Sequence, residues 1–214
     1  DAMLATAGTI VQRLPGPDDL VVPIAPGAGE PTELPPPINL SVVTVIPSPG
    51  PRATPAATRA AEQALDDALA LAAGLPAPLT LEVPPTLISQ RAAKPAGQQA
   101  LADALDGDEL VALPLVPLDV SSAVAIGRGD TFARLLSDGQ DVLTEAVPTT
   151  PSGRDVWITA EALSAGGAQQ LRDLGVRFVV MTSKLYEDTV SSTAPDTGLF
   201  VDAPLPDGRT MPLL

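Results

Sequence analysis

Residues 155–183 read DVWITAEALSAGGAQQLRDLGVRFVVMTS. Val156, Trp157 and Ile158 form a short apolar run, an alanine-rich stretch follows and stops at Gly175, and residues 178–181 are apolar again. The pattern predicts a strand, a helix with Thr159 as its N-cap, and a second strand. Two strands joined by a helix are parallel neighbours, because a parallel pair needs a crossover and nearly all such crossovers are right-handed. This βαβ unit sets the fold class.

The same alternation extends toward the N-terminus. INLSVVTVI at 38–46 is a β-branched run bounded by prolines, as a buried strand requires. TRAAEQALDDALALAAGL then places Ala61, Leu65, Ala68, Leu69 and Ala72 at helical spacing and ends near Gly74. LTLEV at 79–83 reads as a strand, and Pro84-Pro85 opens a helical turn over TLISQ. A helix over 96–105 and a strand in ELVALP at 109–114 follow. Gly127-Arg128-Gly129 splits VPLDVSSAVAIG from GDTFARLLSDGQDVLTEAV, two helical stretches capped by Asp119 and by Asp130 or Thr131.

Beyond Ser183, KLYEDTVSSTAPDTG reads as a long polar loop and LFVDA at 199–203 as a last strand. PLPDGRTMPLL holds an Asp207-Gly208 turn between apolar pieces and no closing element, so a chain cut at its C-terminus is expected. At the other end, residues 1–37 carry proline too densely for a helix and read as a Pro-rich extension or the tail of a preceding β domain. The expectation is an α/β protein with a domain at 38–214, an irregular or incomplete (β/α) barrel of about six or seven mostly parallel strands.

Composition narrows function. Apolar residues make up 45% of the 214 and aromatics 2%, so the core is aliphatic. A formal charge of −14, with 12 Lys and Arg and no basic run, argues against nucleic acid and anionic membrane surfaces as partners. The absence of Cys and His removes thiolate nucleophiles, Ser-His-Asp triads and imidazole or thiolate metal sites. No GxGxxG follows a strand and no P-loop appears, so neither a cofactor nor a metal site is read from the sequence. No apolar run reaches the roughly 18 residues of a membrane span.

LPLVPLDVSSAVAIG, TFARLLSDGQDVLTEAV and the 155–183 stretch together resemble an uncharacterised family of actinobacterial exported cell-envelope proteins. The resemblance covers about 38–203. It implies an extracytoplasmic location, a membrane anchor in the full-length protein, and a region similar to the glycoside hydrolase/deacetylase (β/α) barrels. Deacetylases of that kind hold a metal with an Asp and two His, and a chain without His cannot do so. Relatives often carry an acidic residue before the proline that follows the second strand, where this chain has Pro84.

Barrel chemistry sits at the C-terminal ends of strands, which singles out Glu82, Asp119 and Glu161. A glycosidase needs two carboxyls about 5 to 10 Å apart, one of them protonated. Each has a structural alternative: Asp119 as a helix cap, Glu161 as a charge in a helix's first turn, Glu82 as a strand residue that pairs or points outward. Trp157, the sole Trp, is placed either to stack on a sugar ring or to anchor the core. Tyr186, Glu187 and Asp188 lie in the expected polar loop and complete the candidate ligand-binding set. Arg128-Gly129-Asp130 and the Asn39-Leu40-Ser41 sequon are three-residue matches of the kind that recur by chance, and adjacent Ser183-Lys184 does not make a dyad on an extended chain. The expected function is non-catalytic binding of a cell-wall polysaccharide or a partner protein, with a carboxylate-dependent glycoside hydrolase as the alternative.

Overall fold

A computed structural model describes residues 42–50, 52–75, 77–190 and 201–213. The Pro-rich stretch 1–37, the sequon and the first part of the strand expected at 38–46 lie outside the described residues, as do Leu199 and Phe200 of the last expected strand.

The described chain is α/β. Strands β1 (Val42–Val45), β2 (Leu79–Glu82), β3 (Glu109–Val111) and β4 (Ser152–Gly153) form one parallel sheet in that order. Strands β5 (Val156–Ile158), β6 (Phe178–Val180), β7 (Val201–Pro204) and β8 (Thr210–Leu213) form a second sheet in the order β5-β6-β8-β7. The 155–183 unit is its first parallel pair, with Trp157 opposite Val179. β8 runs parallel to β6, and β7 antiparallel to β8.

Only Arg154 and Asp155 separate β4 from β5, so one length of chain serves both sheets. Ala112 donates to the Gly153 carbonyl at 2.7 Å on the first sheet, and Arg177 to the Asp155 carbonyl at 2.7 Å on the second. Among the described residues the sheets do not close on each other, with β1 and β4 as the outer strands of the first and β5 and β7 of the second.

The helices are α1 (Pro55–Gly74), α2 (Pro85–Ala92), α3 (Gly97–Ala104), α4 (Val120–Ala125), α5 (Gly129–Ala146), α6 (Ala165–Asp173) and α7 (Ser183–Val190). They bury two aliphatic clusters. The first joins Leu79, Leu81 and Leu110 to Ala61, Leu65, Ile88 and Leu101. The second joins Trp157, Val179, Met211 and Leu213 to Phe132, Leu136 and Leu171. α5 serves both, through Leu143 and Ala146 in the first and Phe132 and Leu136 in the second. Between them Gly139 meets the β3–α4 connection, where a Cβ would stand 1.9 Å from the Leu113 carbonyl oxygen.

Several local expectations change. The first part of the polar segment after β6 is α7 rather than a loop, since Tyr186 packs on the second cluster and gives the helix an apolar side, and its remainder, 191–198, lies outside the described residues. Ser164, not Thr159, caps α6: its hydroxyl accepts from Gly167 at 3.0 Å. Thr159 instead closes a turn, its hydroxyl accepting from the Glu161 N–H at 3.1 Å and donating to the Glu161 carbonyl at 2.8 Å. α5 begins at Gly129 with Arg128 at the cap position, which leaves Asp130 in the first turn. The Asp207-Gly208 turn folds the C-terminal segment into the β7–β8 hairpin, Gly208 taking φ 84°, a value open to glycine at little cost.

Candidate functional site

Glu82 ends β2, in register with Val45 on one side and Val111 on the other. Side chains alternate along a strand. Leu79 and Leu81 pack toward the helices, so Glu82 lies on the opposite face, flanked by two valines. It is 9% exposed, and its Oε2 is buried without a hydrogen-bond partner. An ionised carboxylate in such surroundings loses its hydration and gains nothing in return. Burial therefore pushes the carboxyl from 4.5 up to about 8, and Glu82 is mostly protonated at neutral pH.

The other two candidate carboxylates sit elsewhere in different surroundings. Asp119 is the N-cap of α4, its Oδ1 accepting from the Ser122 N–H at 2.6 Å. Glu161 is exposed in the Thr159 turn, ahead of α6 and not in its first turn. α4 and α6 themselves lie close together, with the Ser164 N–H donating to the Ser121 hydroxyl at 2.9 Å and Gly167 facing Ser121 where a Cβ would meet its Oγ at 2.8 Å.

Trp157 belongs to the core. It is 9% exposed and meets Phe132 edge to face, with ring centroids 5.8 Å apart at 64°. An indole held this way packs the second cluster and leaves no open face for stacking on a sugar. Tyr186, Glu187 and Asp188 follow one another on α7. Tyr186 lines a cavity of about 340 Å³ between α6, α7 and the β7–β8 hairpin, with Leu163, Ala168, Met181, Ala203 and Leu205 in its wall. Ser164 and Asp202 add polar atoms at its edge. A second depression of about 520 Å³ lies between the α2–α3 connection and Pro148-Thr149, with Lys94 as its cation. Neither cavity is lined by Glu82, Asp119 or Glu161.

The chain matches no protein-family model, no curated protein and no solved structure. Its chemistry is therefore read from its own side chains. Among the described residues, no group of three or more acidic side chains is arranged to hold a metal ion, and no helix is long and apolar enough to cross a membrane.

The sequence reading did not pick out the aliphatic wall of the 340 Å³ cavity. Its signal was the alternation of Val201, Ala203 and Leu205 with Asp202 and Pro204, a period of two that puts three apolar side chains on one face of β7 and its continuation.

Proposed function

We propose that this chain is a non-catalytic binding domain of an exported cell-envelope protein, and that the groove beside Tyr186 takes an apolar segment of a partner protein. The proposal includes the finer fold reading, in which the two sheets are arcs of an irregular (β/α) barrel. The observation that carries it is the wall of the groove, aliphatic over most of its surface with Tyr186 as a polar-tipped aromatic. Pockets of this composition bind through apolar burial, with a few polar atoms fixing orientation. A polysaccharide would call for more hydrogen-bonding groups and an open aromatic face, and Trp157 is in the core. The extracytoplasmic location and the membrane anchor of the full-length protein are proposed with it, on the sequence resemblance.

One observation favours a second reading. Glu82 holds its proton at neutral pH, as the acid of a glycoside hydrolase must. That reading requires a second carboxyl facing the same substrate; the Asp119 carboxylate is engaged as a helix cap, and Glu161 is an exposed turn residue held through its backbone.

Immobilised domain exposed to an envelope fraction separates the two. The expected result is retention of one protein, reproduced with purified components and weakened about tenfold or more by Tyr186→Ala or Ala203→Asp. Saturable binding of a soluble cell-wall glycan that ignores both substitutions would contradict the proposal, and glycan cleavage abolished by Glu82→Gln would establish the hydrolase instead.

A further inference from the structure

Glu82 is a buried carboxyl that the proposed binding role does not use. Its two neighbours in the sheet are held unequally. β3 is paired on both sides, to β2 and to β4, and its Val111 is buried. β1 is an outer strand of four residues paired only to β2 among the described strands, and its Val45, in register with Glu82, is 47% exposed. The end of that pairing is the Ile46 N–H donating to the Glu82 carbonyl at 2.9 Å. β1 also carries the second buried oxygen without a partner, Thr44 Oγ1. The easier path for water to the Glu82 carboxyl is thus displacement of β1 and not of β3.

Among the described residues, the surroundings offer no charge to compensate. β1 carries no titratable side chain. From β3, Glu109 falls on the same face as Glu82, but its carboxylate leans over Gly153, where a Cβ would stand 2.6 Å from its Oε1. Asp108, at the foot of β3, accepts from the Leu79 N–H at 2.8 Å. In the helix layer, which covers the other face, Arg91 of α2 pairs with Asp66 of α1 at 3.0 Å.

We propose that the proton on Glu82 keeps β1 seated on the sheet, so that opening of this outer strand is coupled to pH. With the carboxyl neutral, β1 lies against an uncharged surface. Loss of the proton leaves a bare carboxylate between two valines, and lifting β1 lets water reach it. Opening therefore gains ground as pH rises from the ordinary glutamate range and levels off once the seated form itself ionises, near pH 8. The result is a sheet whose β2 edge is covered in acid and accessible in mild alkali.

Amide hydrogen exchange over 43–46, read against pH in the intact chain and corrected for intrinsic exchange, tests this. At full exposure on opening, β1 protection falls about tenfold per pH unit between roughly pH 5 and 7.5 and flattens above 8, while α5 stays unchanged. Glu82→Gln removes the dependence. PH-independent protection of β1, or the same slope in Glu82→Gln, overturns the proposal. Should the variant not fold, the ¹³C carboxyl titration of Glu82 in the unmodified chain decides: a midpoint well above the usual range supports the coupling, and one near 4.5 ends it.

Discussion

The two sheets solve the same packing problem and leave different things unfinished. The first is wholly parallel and buries an aliphatic cluster beneath α1, α2 and α3, yet it holds a buried carboxyl, Glu82, on its other face. The second adds an antiparallel hairpin and an edge-to-face aromatic pair, and it leaves an aliphatic groove beside α7. Glu82 lines neither of the two cavities described, and the 340 Å³ groove is walled mainly by aliphatic side chains. The buried acid and the aliphatic groove thus belong to different sheets.

The strongest perturbation of this comparison is at the tie between the halves. Gly139 lets α5 approach the β3–α4 connection, where a Cβ would stand 1.9 Å from a backbone oxygen that cannot swing aside. Gly139→Ala is expected to destabilise by about 3 kcal/mol in chemical denaturation, with protection lost in both halves. Gly74→Ala, where nothing lies within 4 Å, is the control and stays within about 0.5 kcal/mol. Equal effects of the two would mean that α5 does not bind the halves together.

A smaller effect sharpens the contrast among the candidate carboxylates. Asp119→Ala removes the cap of α4 and costs about 1 kcal/mol, whereas Glu161→Ala, exposed and held through its backbone, changes stability by less than about 0.5 kcal/mol. Thermal melts of both variants at one pH check this. A larger loss at Glu161 than at Asp119 would reverse the assignment.

Much of the fold was legible because its parallel strands leave short apolar-rich runs between helical stretches. VWI and FVV are continuous apolar runs, while LTLEV carries Thr and Glu, and ELV carries Glu, among apolar residues, and each contains or forms a strand of the structure. β4 was not legible, since Ser152-Gly153 has no apolar signal and is held through its backbone to β3. α7 escaped because SKLYEDTV is polar in composition and packs through Tyr186. β8 escaped because Thr210–Leu213 contains Pro212 and gains its place from pairing with β7 and β6. Thr159 was read as the cap of α6, but its hydroxyl is taken up by the turn with Glu161, and Ser164 caps the helix instead. For the site, position along a strand pointed to Glu82, but its burial depends on neighbouring strands 37 and 29 residues away in the chain, at Val45 and Val111. Trp157 was ambiguous for the same reason, because Phe132 comes to it from a distant helix.

The account turns on Glu82 being buried, neutral and unpaired, and the unfolding free energy as a function of pH measures that directly. Its carboxyl is raised from 4.5 to about 8 in the folded chain, so its contribution to stability is fully present below pH 4.5, declines as pH rises, and is gone above 8. The difference between the unmodified chain and Glu82→Gln cancels the other acidic groups. It is predicted to move by about 4 kcal/mol in favour of the Gln variant between pH 4.5 and 8, and then to level off. A difference that stays constant across that range would show a hydrated or paired carboxylate at Glu82 and contradict the account.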